Sequence, residues 1–408
     1  MRILYLCHRI PYPPNKGDKI RAFHELRALA SRHEVDVFTL ADEAVDLSTK
    51  SGLAGHCHSL TVVPLNPKIS RLRALPYLLT RTPLTLPYFY SRELQGEVRS
   101  AVSRGGYDRI FVYCSAMAQY VEQVSDIPIV MDFVDVDSDK WTQYAKFTRF
   151  PMSAVHRREG RALRRYEQRL CEKAACVVVT TDREAQLVRE IHPGARVEVV
   201  TNGVDAAYFS PEAIPPDRAT PAVIFTGDMA YFPNEEAVVN FAQRVFPLVR
   251  LSVPNARFLV VGRNPSPRVQ ALASAEGVVV TGFVPDVRAY LAQARVAVAP
   301  FSIAAGIQNK ILEAMAFGLP VVATSKVLQG LRGCIAEVVE SADTPSEMAE
   351  KIVLLLLASD RASSKGSEGR RLVADNYRWE DALDRLLQLV EAPMRPVAAS
   401  PKIRSSVG

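Results

Sequence analysis

The sequence predicts an α/β protein of two Rossmann-like domains, each a doubly wound parallel sheet, facing an interdomain cleft. Three observations predict it. Short apolar runs alternate with longer amphipathic stretches along the chain, which is the rhythm of βαβ units. That rhythm halts at a Pro-rich, acidic stretch, Asp205–Pro221 (DAAYFSPEAIPPDRATP), and then starts afresh. The chain has 408 residues, the length of two domains at roughly 100–200 residues each.

In the first half the expected strands are Ile3–Cys7, Val35–Leu40, Ile110–Tyr113, Ile127–Met131, Cys176–Thr180 and Val197–Val200. Several are continuous apolar runs, as strands covered on both faces are. Helical patterns lie between them, among them Lys19–Ser31 and Ala116–Val124. The second set of strands is Val223–Gly227, Phe258–Gly262, Val278–Gly282, Val296–Pro300, Pro320–Thr324 and Ile335–Val339. The expected domains are 1–204 and 205–378, with Asp205–Pro221 as the linker. A last helix over 379–392 is placed to cross back to the first domain. Residues 393–408 lack apolar periodicity and read as a tail.

Composition excludes several classes. The chain is 48% hydrophobic and 23% charged, which is ordinary for a folded soluble protein and not for a disordered one. The longest aliphatic run, Ile352–Ala358, is too short to span a bilayer. The N-terminal apolar stretch is interrupted by His8 and Arg9 and reads as a strand, not a signal peptide. Six scattered cysteines form no CxxC pair and no zinc spacing. Reduced thiols and a cytoplasmic location are the expectation. Residues 1–204 hold 29 Lys and Arg against 23 Asp and Glu, whereas residues 205–408 hold 21 of each. The whole positive excess therefore lies in the first half. Such a bias serves an anionic membrane surface, nucleic acid or a merely solvated face. No nucleic-acid motif accompanies it, so nucleic acid is not an expected partner.

The most informative segment is Pro300–Thr324 (PFSIAAGIQNKILEAMAFGLPVVAT). It reads strand, loop, helix, Gly-Leu-Pro turn, strand. Ala304, Ala305 and Gly306 are small enough for a ligand to approach the backbone. The helix is expected to begin near Ile307 and Gln308, where free N–H groups and the helix dipole favour a diphosphate. Lys310 falls in the first turn, where a cation is disfavoured by the dipole, and an anion would resolve that conflict. Glu313 lies three residues on, placed to accept hydrogen bonds from ribose hydroxyls. The plain alternative is a Lys310–Glu313 surface pair, worth about 0.2–0.5 kcal/mol.

LEAMAFGLPVVAT resembles the signature of family 4 glycosyltransferases, retaining enzymes of the GT-B fold. Further matches are Asn202–Asp205 (NGVD) near the domain junction, Phe225–Asp228 (FTGD), Val260–Arg263 (VVGR) and Thr281–Val284 (TGFV). More narrowly, Met131–Ala145, Tyr231–Asn234 and Gly306–Lys310 resemble sugar transferases that accompany exopolysaccharide systems of the PEP-CTERM/EpsH type. The resemblance implies a nucleotide-sugar donor, a glycan or lipid-linked acceptor, retention of configuration, and no metal or other cofactor. It implies that Gly227, Arg263, Gly306, Ile307, Gln308, Asn309 and Lys310 surround the diphosphate and that Glu313 binds the ribose. Phe283 and Val284 then belong to the loop that packs on the base. Two departures stand out. Where many members carry a second Glu this chain has Ala305, and where many carry a His after the strand ending at Tyr113 it reads Cys114-Ser115-Ala116.

Other candidates lie in the first half. Lys16, Gly17 and Asp18, in the segment Asn15–Lys19, follow the first strand and open a helix. The resemblance brings Gly17 to the donor sugar and Lys16 and Asp18 to the acceptor, whereas the bland reading makes Asp18 the N-cap. Asp132, Asp135, Asp137 and Asp139 follow a strand. Such carboxylates serve a divalent metal, the orientation of an acceptor hydroxyl, or capping of the next helix. Asp132 and Asp135 are the catalytic candidates among them, with Lys310 on the donor side. His156–Lys173 and Asn66–Arg104 each hold seven Lys and Arg, the latter interleaved with apolar and aromatic residues. These are the stretches suited to peripheral contact with an anionic membrane. A nucleotide-sugar epimerase and an inactive nucleotide-sugar-binding protein share this architecture and remain the rival readings. A dehydrogenase is disfavoured, since no GxGxxG follows the first strand.

Overall fold

The computed structural model describes residues 1–14, 16–42, 51–217 and 219–397. Asn15 and most of the expected tail, 398–408, lie outside the described residues. The chain divides into two compact units. One comprises Met1–Val200 and the residues from Leu383 onward, the other Thr201–Ala382.

The first unit holds a seven-stranded sheet. In chain order its strands are β1 (Arg2–Cys7), β2 (Glu34–Ala41), β3 (Ser59–Pro64), β4 (Arg109–Tyr113), β5 (Ile129–Asp132), β6 (Cys176–Val179) and β7 (Val197–Val199). In space they run β3-β2-β1-β4-β5-β6-β7, and every pairing is parallel. β1 and β2 are buried along almost their whole length, which is why β1 reads as a continuous apolar run and β2 as one broken only by the buried Asp36 and Thr39. β3 is an edge strand, mostly half-exposed. Its pattern SLTVVP is polar at one end and closed by Pro at the other, so it carries little strand signal. Helix α1 (Gly17–Ala30) follows β1, and α2 (Asp137–Phe147) and α3 (Met152–Lys173) connect β5 to β6. The helix expected over Ala116–Val124 is instead a short 3₁₀ segment, Ser115–Tyr120.

The second unit holds six strands, β8 (Ala222–Thr226), β9 (Arg257–Val261), β10 (Val278–Gly282), β11 (Ala294–Ala299), β12 (Val321–Ala323) and β13 (Glu340–Ser341). They run β10-β9-β8-β11-β12-β13, all parallel. The expected strand Ile335–Val339 is corrected. A helical turn, Gly333–Ala336, comes first, and the strand is only Glu340–Ser341. Ile335 is fully buried from that turn, so burial, not extension, made the run apolar. Helices α4 (Phe232–Asn240), α5 (Asn309–Ala316), α6 (Ser359–Asn376) and α7 (Trp379–Glu391) complete the frame used below.

Each sheet reverses its winding once, between β1 and β4 and between β8 and β11. In doubly wound sheets ligands bind beyond the carboxyl ends of strands at such switch points. The expected linker is a strap on the second unit. Phe209 and Ile214 pack on its core, Asp217 donates its N–H to the Ala292 carbonyl, and Arg370 grips Glu212. The unit boundary therefore falls at Val200/Thr201, ahead of the NGVD segment. Val204 donates to the Tyr377 carbonyl at 2.8 Å. A Cβ on Gly203 would stand 2.5 Å from the Trp379 nitrogen. The distal part of α7 counts with the first unit, where Arg109 donates to the Val390 and Ala392 carbonyls.

Candidate active site

The second unit's switch point is built by glycines at strand ends. β8 ends at Thr226 and the chain turns at Gly227, whose N–H donates to the Val261 carbonyl at 3.0 Å. A Cβ on Gly262 would fall 1.7 Å from the Gly227 oxygen, so no other residue fits between these two strand ends. A Cβ on Gly227 would come within 2.9 Å of Lys310 Nζ. The glycine loop and the lysine of α5 are thus in direct contact.

Lys310 lies in the first turn of α5, which has Gln308 at the N-cap and opens at Asn309, slightly later than the start expected near Ile307 and Gln308. Its ammonium donates to Asn234 Oδ1 at 2.6 Å. It stands 4.4 Å from the Phe225 ring centroid and 4.8 Å from that of Phe301, a cation–π seat. Asn234 is buried near the start of α4 and is oriented by its own bond to the Asp228 carbonyl at 2.8 Å. No carboxylate pairs with Lys310 within 4.0 Å among the described residues, so the plain Lys310–Glu313 surface pair is not what forms. Burial pushes the Lys310 ammonium down to about 7, opposed by the charge of Glu313. Burial likewise pushes the Glu313 carboxyl up to about 7, opposed by Lys310. Both groups are held near neutral pH without a charge partner in contact, as a site for an anionic ligand would be.

The other donor candidates gather at the same strand ends. Arg263 follows Gly262, and its Nε donates to Asp228 Oδ2 at 3.0 Å. Its buried Nη2 has no hydrogen-bond partner among the described residues, leaving one donor of the fork unused. Phe283 follows β10 and is 72% exposed, an open aromatic face beyond a strand end. Val284 and Ile307 pack partly on the core. Gly306 has φ +58° and lies in the loop before α5. Gln308 donates to the Ala305 carbonyl. Asn309 Oδ1 accepts from Asn202 Nδ2 at 2.9 Å, which ties the NGVD segment to the start of α5.

The first unit's switch point differs in character. Arg9, just past β1, donates to Asp18 at 3.0 Å and to Asp42 at 2.9 Å. Asp18 lies within α1, so it is not the N-cap; that position is Lys16, which makes no side-chain cap bond. His8 and Arg9 hold the Asp18 carboxyl well below its usual range, against its burial. Gly17 is exposed and a Cβ there would meet nothing within 4 Å. His8 was not singled out from the sequence. Its ring stacks on Tyr113 with centroids 6.0 Å apart, and its Nε2 lies 3.4 Å from Asp18 Oδ2. Burial lowers its pKa, but Cys114 and Asp18 outweigh that and push it up to about 9. The available signal was a histidine just past the carboxyl end of β1.

The carboxylates after β5 need correction. Asp132 is fully buried, and Arg21 Nη2 and Nε donate to its Oδ2 at 2.6 and 2.9 Å. It is a structural anion and offers no surface to a substrate. Asp137 is 2.5 Å from Lys140, which also lies 3.5 Å from Asp135. Asp139 pairs with Arg183 at 2.8 Å. Asp135 keeps an accessible fraction, and burial raises its pKa. Each carboxylate is answered by a cation of the same unit, and among the described residues no acidic cluster has a metal-binding arrangement.

Comparison with known proteins follows the same division. Residues 20–203 match the model of a glycosyl transferase 4-like domain. Residues 220–358 match that of glycosyl transferases group 1. A search of curated proteins found no match. Sucrose-phosphate synthase from Thermosynechococcus elongatus is 19% identical, with a TM-score of 0.71 over 95% of this chain and 98% of that one. Anabaena HepE in complex with UDP-glucose is 15% identical, with a TM-score of 0.66 over 96% of this chain and 99% of that one. WaaG, a glycosyltransferase involved in lipopolysaccharide biosynthesis, is 14% identical, with a TM-score of 0.64 over 96% and 100%. At these identities the likeness is one of fold. The chain is thus a two-unit α/β protein of the GT-B architecture, carrying a glycosyl transferase 4-like domain followed by a glycosyl transferases group 1 domain.

Proposed function

We propose that the protein is a retaining glycosyltransferase of family 4 that moves a hexose-type sugar from a nucleoside-diphosphate donor to a lipid-linked glycan in exopolysaccharide biosynthesis. The observation that carries the donor assignment is Lys310, a half-buried ammonium in the first turn of α5, against Gly227 and without a carboxylate partner. A diphosphate at this point satisfies the lysine, the free N–H groups of the α5 start and the open Nη2 of Arg263 together. Glu313 takes the ribose hydroxyls and Phe283 the base. The UDP-glucose complex of HepE, a protein of the same fold, fits this reading.

In the proposed reaction the glycosidic bond to the diphosphate breaks, and Lys310 and Arg263 stabilise the charge developing on the leaving oxygen. The acceptor hydroxyl attacks from the face that the diphosphate leaves, and a phosphate oxygen takes its proton. The positive charge needed comes from side chains, so the reading requires no metal. On the first unit His8, Lys16 and Asp135 are the strand-end groups for the acceptor. The protein works on the cytoplasmic side, where nucleotide sugars are made.

The test offers UDP-, GDP-, ADP- and dTDP-hexoses with a membrane lipid extract and follows nucleoside diphosphate release, with the product's anomeric configuration read by NMR. Acceptor-dependent release with retention, abolished in Lys310→Ala, is the expected result. Inversion would remove the retaining mechanism. Release from none of the donors would remove the transferase reading.

A further inference from the structure

Among the described residues, the first unit's exposed large hydrophobics are confined to one region, its terminal Met1 and Val397 apart. The helical stretch Pro67–Ala74 and the 3₁₀ segment Leu75–Leu79 expose Ile69 (60%), Leu72 (67%), Leu75 (54%) and Leu79 (96%). Ile69, Leu72 and Leu75 recur at every third residue, which puts them on one side of the helical path. The link between α2 and α3 exposes Phe147, Phe150 (84%) and Met152. Arg158 of α3 ties the two stretches together by donating to the carbonyls of Tyr77, Thr80 and Thr82. Glu159 fastens them further, accepting from the Leu84 and Thr85 N–H groups at 2.8 and 3.0 Å.

The charge of this region has one sign. Lys68, Arg71, Arg81, Lys146, Arg149 and Arg157 are all exposed. No acidic residue occurs in 66–82 or 146–158, and the first one reached, Glu159, is buried. Exposed leucine, isoleucine and phenylalanine in water cost free energy, and a contiguous group of them marks an interaction face. A protein partner of acidic character would match the charge but not seven protruding apolar tips without a groove to receive them. An anionic bilayer matches both: the apolar tips enter the headgroup boundary and the basic residues meet the phosphates. Among the described residues no helix is long and apolar enough to cross a membrane, and the contact argued for is a peripheral one.

We propose that the surface formed by Pro67–Arg81 and Lys146–Arg157 docks the first unit onto an anionic lipid bilayer. The docking is independent of donor chemistry and holds whether or not the transferase reading does.

The experiment is co-sedimentation of the full chain with vesicles of phosphatidylcholine alone and of phosphatidylcholine containing about a third phosphatidylglycerol. The wild type is expected to pellet with the anionic vesicles, far less with the neutral ones, and to be released by high salt. Leu72→Asp/Leu79→Asp should lower the partition coefficient at least tenfold. Arg71→Gln/Arg81→Gln should lower it by roughly fivefold for each charge removed. These side chains are exposed, so circular dichroism and thermal melting should be unchanged in both variants. Equal binding of wild type and both variants, or no binding by the wild type, would overturn the proposal. Self-association of the wild type in sedimentation velocity, lost in the leucine variant and unaffected by vesicles, would assign the surface to a second copy of the chain and overturn it as well.

Discussion

Two groups of charges stand beyond the carboxyl ends of parallel strands in this molecule, and they are built on opposite principles. After β5, Asp132, Asp135, Asp137 and Asp139 each meet a cation, from Arg21 in the core to Lys140 and Arg183 nearer the surface. After β11, Lys310 and Glu313 are half-buried, near each other and, among the described residues, without an ion pair inside 4.0 Å. The first arrangement spends its charges on holding the sheet and helices in place. The second leaves its charges shifted toward neutrality, a state that an anionic ligand can reverse. Four carboxylates in eight residues look more like a catalytic site in the sequence than one lysine does. Burial and pairing reverse that ranking.

The largest test of the contrast is Arg21→Met. It leaves Asp132 buried beside Glu25, whose pKa burial already raises well above its usual value. A loss of about 3–5 kcal/mol is expected in urea denaturation; a loss below about 1 kcal/mol would show that the triad is not a structural anchor. The next effect is on pH. Lys310 loses its proton near 7 in the free protein, and a bound diphosphate favours the charged form. Diphosphate affinity should therefore fall as pH rises above 7, by up to tenfold per unit, until the pKa of the bound state is reached. Calorimetry in buffers of different ionisation enthalpy should register proton uptake on binding above pH 7, and none in Lys310→Met. Smaller again is Phe283→Ala. Loss of base stacking should weaken donor binding by about 1 kcal/mol, roughly fivefold, with stability unchanged because the ring is exposed. The smallest effect expected is that of Lys310→Met on stability, less than about 1 kcal/mol, since removing a desolvated charge offsets the lost bond to Asn234. A large loss there would place Lys310 with the structural charges.

Much of the fold was legible because buried parallel strands write themselves as apolar runs. β1, β8, β9 and β11 all read that way, and β2 does so apart from Asp36 and Thr39. β3 did not, because an edge strand needs apolar residues on fewer positions, and Ile335–Val339 misled because a buried helical turn is apolar too. The donor-side residues were legible from the loop–helix chemistry around Gly306–Glu313 and from the resemblance. What surrounds Lys310 was not: Phe225, Asn234 and Phe301 come from other elements, and only packing assembles them. Arg21 and Glu25 carry no local sign of burial, since in sequence they are polar positions of an amphipathic helix. His8 was visible only as an interruption of an apolar strand.

The most direct test of the account is calorimetric titration of wild type and Lys310→Ala with UDP, GDP, ADP and dTDP. The wild type is expected to bind one of them with micromolar affinity, and the variant, still folded, to lose at least tenfold. Equal binding by the variant would put the diphosphate elsewhere, and binding of none by the wild type would contradict the donor site at α5.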